Sequence, residues 1–214
     1  MTMNIALLAS GRGSNVAALL AAKAIGRLPG ANFPLVLSNI EGAGVLEVAR
    51  QAGVPAQVVA HAGMKRHEHE ARVLEVLEQA GVDAVALCGY MRVLGPAFIA
   101  RYRMRILNIH PSLLPAFPGM HAQRQAIAHG VKVTGCTVHF VDEGVDSGPI
   151  ILQIPVAVLP GDDEDSLARR ILHFEHRAYT TALDLFSRGL LSIENRTVHL
   201  PGNIPDLEDS LDIV

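Results

Sequence analysis

The stretch Asn4-Ile5-Ala6-Leu7-Leu8-Ala9, followed by Ser10-Gly11-Arg12-Gly13-Ser14-Asn15 and an Ala- and Leu-rich segment from Val16, decides the fold class. A short apolar run ended by glycines reads as a strand. Glycines punctuate a tight turn, and the segment after them is built of good helix formers. Strand, glycine-rich turn and helix in that order begin a parallel α/β sheet.

Working outward, the alternation repeats with a strand near residues 35–37, a helix near 45–51 and a strand near 56–59. Residues 66–80 read as an amphipathic helix, with Val73, Leu74, Val76 and Leu77 apolar among charged neighbours, leading into a strand at 84–88. Pro96 fits the first position of a short helix to residue 102, and 105–110 reads as another strand. Pro111, Pro115 and Pro118 then stiffen residues 110–119 and exclude a regular helix there. A helix at 121–129 follows. Two β-rich runs, 134–141 and 150–158, flank a turn-like loop and are expected to pair antiparallel. Residues 162–187 carry the longest helical pattern, with Asp162 or Asp163 as its cap and Gly189 as its stop. A small hairpin is expected over 191–200. The expectation is one α/β domain over 1–200, with a mainly parallel twisted sheet flanked by helices and an antiparallel C-terminal extension. Residues 201–214 are expected to form a tail.

Composition bounds the function. The chain has 214 residues, half of them hydrophobic, with 18 Lys and Arg against 21 Asp and Glu. One domain of this size buries roughly 70% of its extended-chain surface. A net charge of −3 with no basic stripe argues against a nucleic-acid or anionic-membrane partner, and the absence of Trp argues against a base-stacking platform. Cys88 and Cys136 belong to no C-x-x-C pair, which speaks against zinc or a redox dithiol. Cys88 reads as a small buried hydrophobe. Residues 1–10 carry no basic leader segment, and no apolar run in the sequence approaches about 18 residues, so the cytoplasm is the expected compartment.

Three groups of residues could carry chemistry. Gly11 to Asn15, between strand and helix, would offer backbone N–H groups and a helix dipole to a phosphate. Neither a dinucleotide fingerprint nor a Walker A loop is present, because position 16 is Val16 and no Gly-Lys-Ser/Thr follows. The alternative is a tight turn capped by Ser14 or Asn15. Asn108 and His110 lie two apart on a strand, so an amide and an imidazole share one face at its carboxyl end. Asp146 sits in the loop between the two β-rich runs. If folding brings it to His110, its carboxylate would favour the protonated ring and orient it, an arrangement suited to acid–base work.

Ser10 to Asn15, Met91-Arg92-Val93-Leu94, Asn108-Ile109-His110-Pro111-Ser112-Leu113-Leu114-Pro115 and Asp142 through Pro149 together resemble the phosphoribosylglycinamide formyltransferases, within the folate-dependent formyltransferases. The resemblance covers residues 4–200. It implies formyl transfer from 10-formyltetrahydrofolate to glycinamide ribonucleotide without a metal, in a monomer or homodimer, with Asn108, His110 and Asp146 catalytic. It also implies that Gly13, Ser14 and Asn15 hold the phosphate and Glu175 the ribose hydroxyls, with a solvated helix face as the alternative for Glu175. Met91, Arg92, Val93 and Leu94, with Arg66 and Asn108, would receive the folate; a surface charge is the alternative for Arg66 and core packing for Met91 and Leu94. A cis Leu114–Pro115 bond is implied as well. A formyltetrahydrofolate hydrolase and a noncatalytic folate or nucleotide sensor remain as other readings.

Overall fold

The opening apolar run forms β1 (Met3–Ala9), in which Ile5 through Ala9 are wholly buried. The computed structural model describes residues 2–202. After the glycine turn come α1 (Ser14–Ala24), β2 (Ala31–Asn32), β3 (Val36–Ser38), α2 (Gly44–Gln51), β4 (Ala56–Val58) and α3 (Arg66–Gln79). The chain continues through β5 (Ala84–Leu87), α4 (Pro96–Arg101), β6 (Ile106–His110) and α5 (Ala122–Ala128). It ends with β7 (Val133–Phe140), β8 (Ile150–Ala157), α6 (Glu164–Ser187), and a hairpin of β9 (Ser192–Glu194) and β10 (Thr197–His199).

The main sheet runs β4-β3-β1-β5-β6-β7-β8. Its first five strands are parallel, while β7 and β8 pair antiparallel as the sequence suggests. The two-residue β2, which no sequence signal marks, adds a short parallel pairing to β1. Side chains alternate across the sheet. Ile5, Leu7 and Ala9 enter the layer under α1 and α6, whereas Ala6 and Leu8 enter the layer with Val73, Leu77 and Phe98 of α3 and α4. Burial on both faces is why β1 reads as continuous apolar sequence.

Several expected boundaries move. His121, left-handed at φ 59, caps α5 from outside the helix. Asp163, and not Asp162, caps α6: its carboxylate accepts from the Ser166 N–H at 2.7 Å, and Ser166 Oγ accepts from the Asp163 N–H at 3.0 Å. Asp162 instead receives both arms of Arg170 at 2.7 Å, and those bonds hold its carboxyl well below the usual range. The Leu114–Pro115 bond is cis, as the resemblance implies. The tail expected beyond residue 202 lies outside the described residues. Among the described residues no helix is long and apolar enough to cross a membrane.

One contact fixes α6 over the sheet. The Tyr179 hydroxyl, fully buried, lies 3.0 Å from the carbonyls of both Leu87 and Leu107, at the ends of β5 and in β6. Small side chains below it, Ala84, Ala86 and Cys88, leave room for the ring. One helical turn before Tyr179 stands Glu175, which is thereby aimed at the carboxyl ends of the parallel strands.

Candidate active site

Chain order reverses at β1, which lies between β3 and β5. Ligands of open α/β sheets bind outside the strand ends at such a reversal. The loops after β1 and β5 meet there: the Met91 N–H donates to Ser10 Oγ at 2.8 Å, and Ser10 Oγ donates to Asn39 Oδ1 at 2.6 Å. A cavity of about 540 Å³ opens at this point, bounded by Gly11 to Asn15, by Cys88, Gly89 and Met91, and by one face of α6.

Gly13 holds φ at +83, and a Cβ built on it would come within 2.9 Å of the Val45 backbone. Glycine is therefore required first by packing of α2 on the loop, a constraint separate from the ligand access inferred from sequence. No side chain caps α1, so the capped-turn alternative for Ser14 and Asn15 does not hold. Asn15 instead crosses the cavity wall to α6, where its Nδ2 donates to Glu175 Oε2 at 2.9 Å. Its Oδ1 is buried without a hydrogen-bond partner among the described residues. Glu175 is buried too, which removes the solvated-face alternative; burial pushes its carboxyl up and the Asn15 bond draws it partly back. A buried acceptor with nothing to accept from and a desolvated carboxyl suit a ligand rich in hydroxyl groups.

Asn108 and His110 project from the end of β6, as their spacing requires. His110 is buried, with Nδ1 3.3 Å from Asp146 Oδ2 and Nε2 2.9 Å from the Phe117 carbonyl. Both ring nitrogens stand close to oxygen acceptors. Asp146 reaches His110 because its loop folds back: Asp146 takes a left-handed φ of 50, and its Oδ2 accepts from the Gly119 N–H at 2.7 Å. Gly148 lets that loop close, since a Cβ there would lie 1.8 Å from the Phe140 carbonyl oxygen. The proline loop is pinned from beneath by Thr137, whose Oγ1 donates to the Ser112 carbonyl at 2.6 Å and accepts from the Leu114 N–H at 3.1 Å.

His139, which the sequence reading passes over, completes the group. It is the cross-strand partner of Asn108 in the β6–β7 ladder. Its Nδ1 lies 2.9 Å from the Phe140 carbonyl, so that nitrogen carries the proton, and Nε2 is left to accept from Asn108 Nδ2 at 3.2 Å. Burial pushes the ring below the ordinary histidine range, in keeping with the neutral form. The Asp146 Oδ1 contact at 3.7 Å is therefore a proximity, not an ion pair.

Comparisons with known proteins give the chain a family. The formyl transferase family profile matches residues 3–183. The chain belongs to the formyl transferase family. Relatives of this formyltransferase include the phosphoribosylglycinamide formyltransferase of Escherichia coli K12, 40% identical over 201 residues that cover 94% of either chain. The trifunctional purine biosynthetic protein adenosine-3 of Drosophila melanogaster is 47% identical over 187 residues, which span 86% of this chain and 14% of that protein. The crystal structure of glycinamide ribonucleotide transformylase 1 from Symbiobacterium toebii superposes with a TM-score of 0.91 at 50% identity, covering 93% of this chain and 94% of that one.

The residues assigned to folate by resemblance divide in the formyltransferase fold. Met91 and Val93 project outward, 69% and 62% exposed, whereas Leu94 is buried in the layer under α3 and α4. Arg66 stands exposed at the start of α3, 3.8 Å from Glu70. Glu70 in turn accepts from the Gly95 N–H at 2.8 Å, so α3 is tied to the end of the 91–94 loop. Cys88 and Cys136 are buried free thiols, the latter pushed up to about 12 by burial. Neither has nucleophilic character.

Proposed function

We propose that this formyltransferase moves the formyl group of 10-formyltetrahydrofolate to the amine of 5'-phosphoribosylglycinamide, a step of purine biosynthesis in the cytoplasm. The observation that carries the reading is the convergence of Asn108, His110 and Asp146 at the carboxyl end of β6, the same end of the parallel strands as a cavity whose unpaired Asn15 Oδ1 and buried Glu175 suit a sugar. The relatives of Escherichia coli and Symbiobacterium toebii are named for the acceptor, and 10-formyltetrahydrofolate as the donor is what the family resemblance implies.

The chain's residues account for the chemistry as follows. When the amine attacks the formyl carbon, a new C–N bond forms and negative charge gathers on the formyl oxygen. The Asn108 amide spends one N–H on His139 and keeps the other for that oxygen. Protonated His110 adds positive charge beside it, with Asp146 as counter-charge. The Phe117 carbonyl now accepting from Nε2 stands where a substrate oxygen or water would compete for the same proton. The attacking amine must lose a proton and the departing folate N10 must gain one; the His110–Asp146 pair serves as the relay between them. Met91 to Leu94 and Arg66 would receive the folate.

Purified protein given both substrates should yield formylated ribonucleotide at a rate dependent on the amine. Formyl release at the same rate without the amine would instead make the protein a hydrolase, and no turnover would favour a sensor. Glu175→Gln, which keeps size but removes the charge, is expected to raise the ribonucleotide KM roughly tenfold, the scale of one hydrogen bond to a charged group. The folate KM should stay unchanged in the same assay.

A further inference from the structure

The substrate cavity carries charge that the reading above leaves unused. The wall contributed by α6 is a single helical stripe, Asp165, Ala168, Arg169, Leu172 and Glu175, set by the three- and four-residue repeat of the helix. Opposite it, the turn before α1 brings Arg12 to the same cavity. Both arginines are exposed, and neither is in an ion pair among the described residues. Arg169 feels the field of Asp163 in the capping box below it, and Asp165 is the one other acidic group on the stripe besides Glu175. The same cavity is lined by the first turn of α1, which no side chain caps, and by Asn15, whose nine-tenths buried side chain leaves Oδ1 without a partner among the described residues.

We propose that Arg12 and Arg169 form a two-sided clamp on the substrate's phosphate, Arg12 from the loop and Arg169 from α6. This inference rests on the reading of the cavity as the site of a phosphorylated sugar. The division of labour follows from chemistry. Glu175 and Asn15 Oδ1 are acceptors and suit hydroxyl groups, whereas guanidinium forks and helix N–H groups are donors and suit a dianion. Three residues, slightly less than one turn, separate Arg169 from Leu172 and Leu172 from Glu175 alike, so donor and acceptor ends of the stripe lie some 9 Å apart along the helix at about 1.5 Å per residue. That spacing matches a ribose with its 5'-phosphate extended along the stripe. Leu172 between them offers the sugar an apolar edge and no charge.

Binding of ribose 5-phosphate to the whole protein, measured by calorimetry at low salt, tests the clamp apart from turnover. Ribose itself serves as the control. Wild type should bind the phosphate ester, and Arg169→Ala and Arg12→Ala should each weaken it about 10- to 100-fold, the scale of a lost charge-assisted hydrogen bond. Arg169→Lys should recover part of the loss, since it restores charge without the fork. Raising the salt should shrink the differences, because both groups are exposed. In the formyl-transfer assay, Arg169→Ala should raise the ribonucleotide KM by a similar factor while kcat and the folate KM stay within about twofold. Equal ribose 5-phosphate affinity in wild type and both alanine variants would overturn the clamp even if the enzyme turns over. An equal loss for ribose would do so too, by showing a general cavity defect. Absence of turnover with intact, arginine-dependent ribose 5-phosphate binding would overturn the formyl-transfer reading and leave the clamp standing.

Discussion

Asp146→Asn is expected to lower kcat by on the order of 10²–10⁴, the scale of acid–base assistance, while either substrate's KM changes far less. The substitution is close to isosteric, and asparagine tolerates the left-handed φ of 50 that Asp146 adopts. An amide oxygen can also still accept from the Gly119 N–H, which Asp146 Oδ2 now does at 2.7 Å. What disappears is the negative charge 3.3 Å from His110 Nδ1. The protonated ring then loses its counter-charge, and the proton relay loses the partner that holds it. Because the two groups act as one unit, Asp146→Asn placed on His110→Ala should add much less than its own single-variant loss. A four-member kinetic cycle measures this, with circular dichroism and melting temperature to show that all members fold. Fully additive losses would reduce Asp146 to a loop-forming residue and move the search for the relay elsewhere.

The parts of this structure legible in the sequence are those whose signal is local. β1 and β5 show as apolar runs because both faces are covered, and α6 shows through its period and its cap. Asn108 and His110 could be placed on one face from their spacing alone. Asp146 could not, since nothing in sequence dictates that residues 141–149 fold back; that contact needs Gly148 and the Gly119 N–H, which are visible only in three dimensions. His139 is hidden in the sequence for a related reason. Its importance comes from the antiparallel register that sets it opposite Asn108, and register is a property of pairing. β2 leaves no mark in the sequence, because two residues have no periodicity to read. Arg169 carries no motif; it enters the site through helix geometry, three residues before Leu172 and six before Glu175 on one face of α6.

The second large effect is expected at Asn108, and it draws in His139. Asn108→Ala removes the amide that faces the developing oxyanion, a loss on the order of 10²–10³ in kcat. His139 does not need to touch substrate to matter. Its Nε2 takes one Asn108 N–H at 3.2 Å and thereby sets which way the amide plane points. His139→Leu should therefore reduce kcat with little change in KM, whereas His139→Gln, whose Oε1 can accept the same bond, should recover part of the rate. On an Asn108→Ala background His139→Leu should cost little more. The acid side of the pH profile adds an independent reading. Burial, the largest influence on the ring, pushes His139 below its ordinary 6.5, so the folded protein holds it neutral where an unfolded chain would already protonate it. Stability from this source is fully present above 6.5 and is lost as pH falls toward the lowered folded value. His69, also buried and with Nε2 2.8 Å from the Val59 carbonyl, has the same sign, so the informative quantity is the difference between wild type and His139→Gln. Melting temperatures measured from pH 7.5 down to about 5 should fall more steeply for wild type than for the glutamine variant. In the same range wild-type kcat should drop further, because a proton on Nε2 would oppose the Asn108 N–H it now accepts. Parallel pH curves for the two proteins, together with additive losses at Asn108 and His139, would leave His139 a packing residue with no hold on the amide.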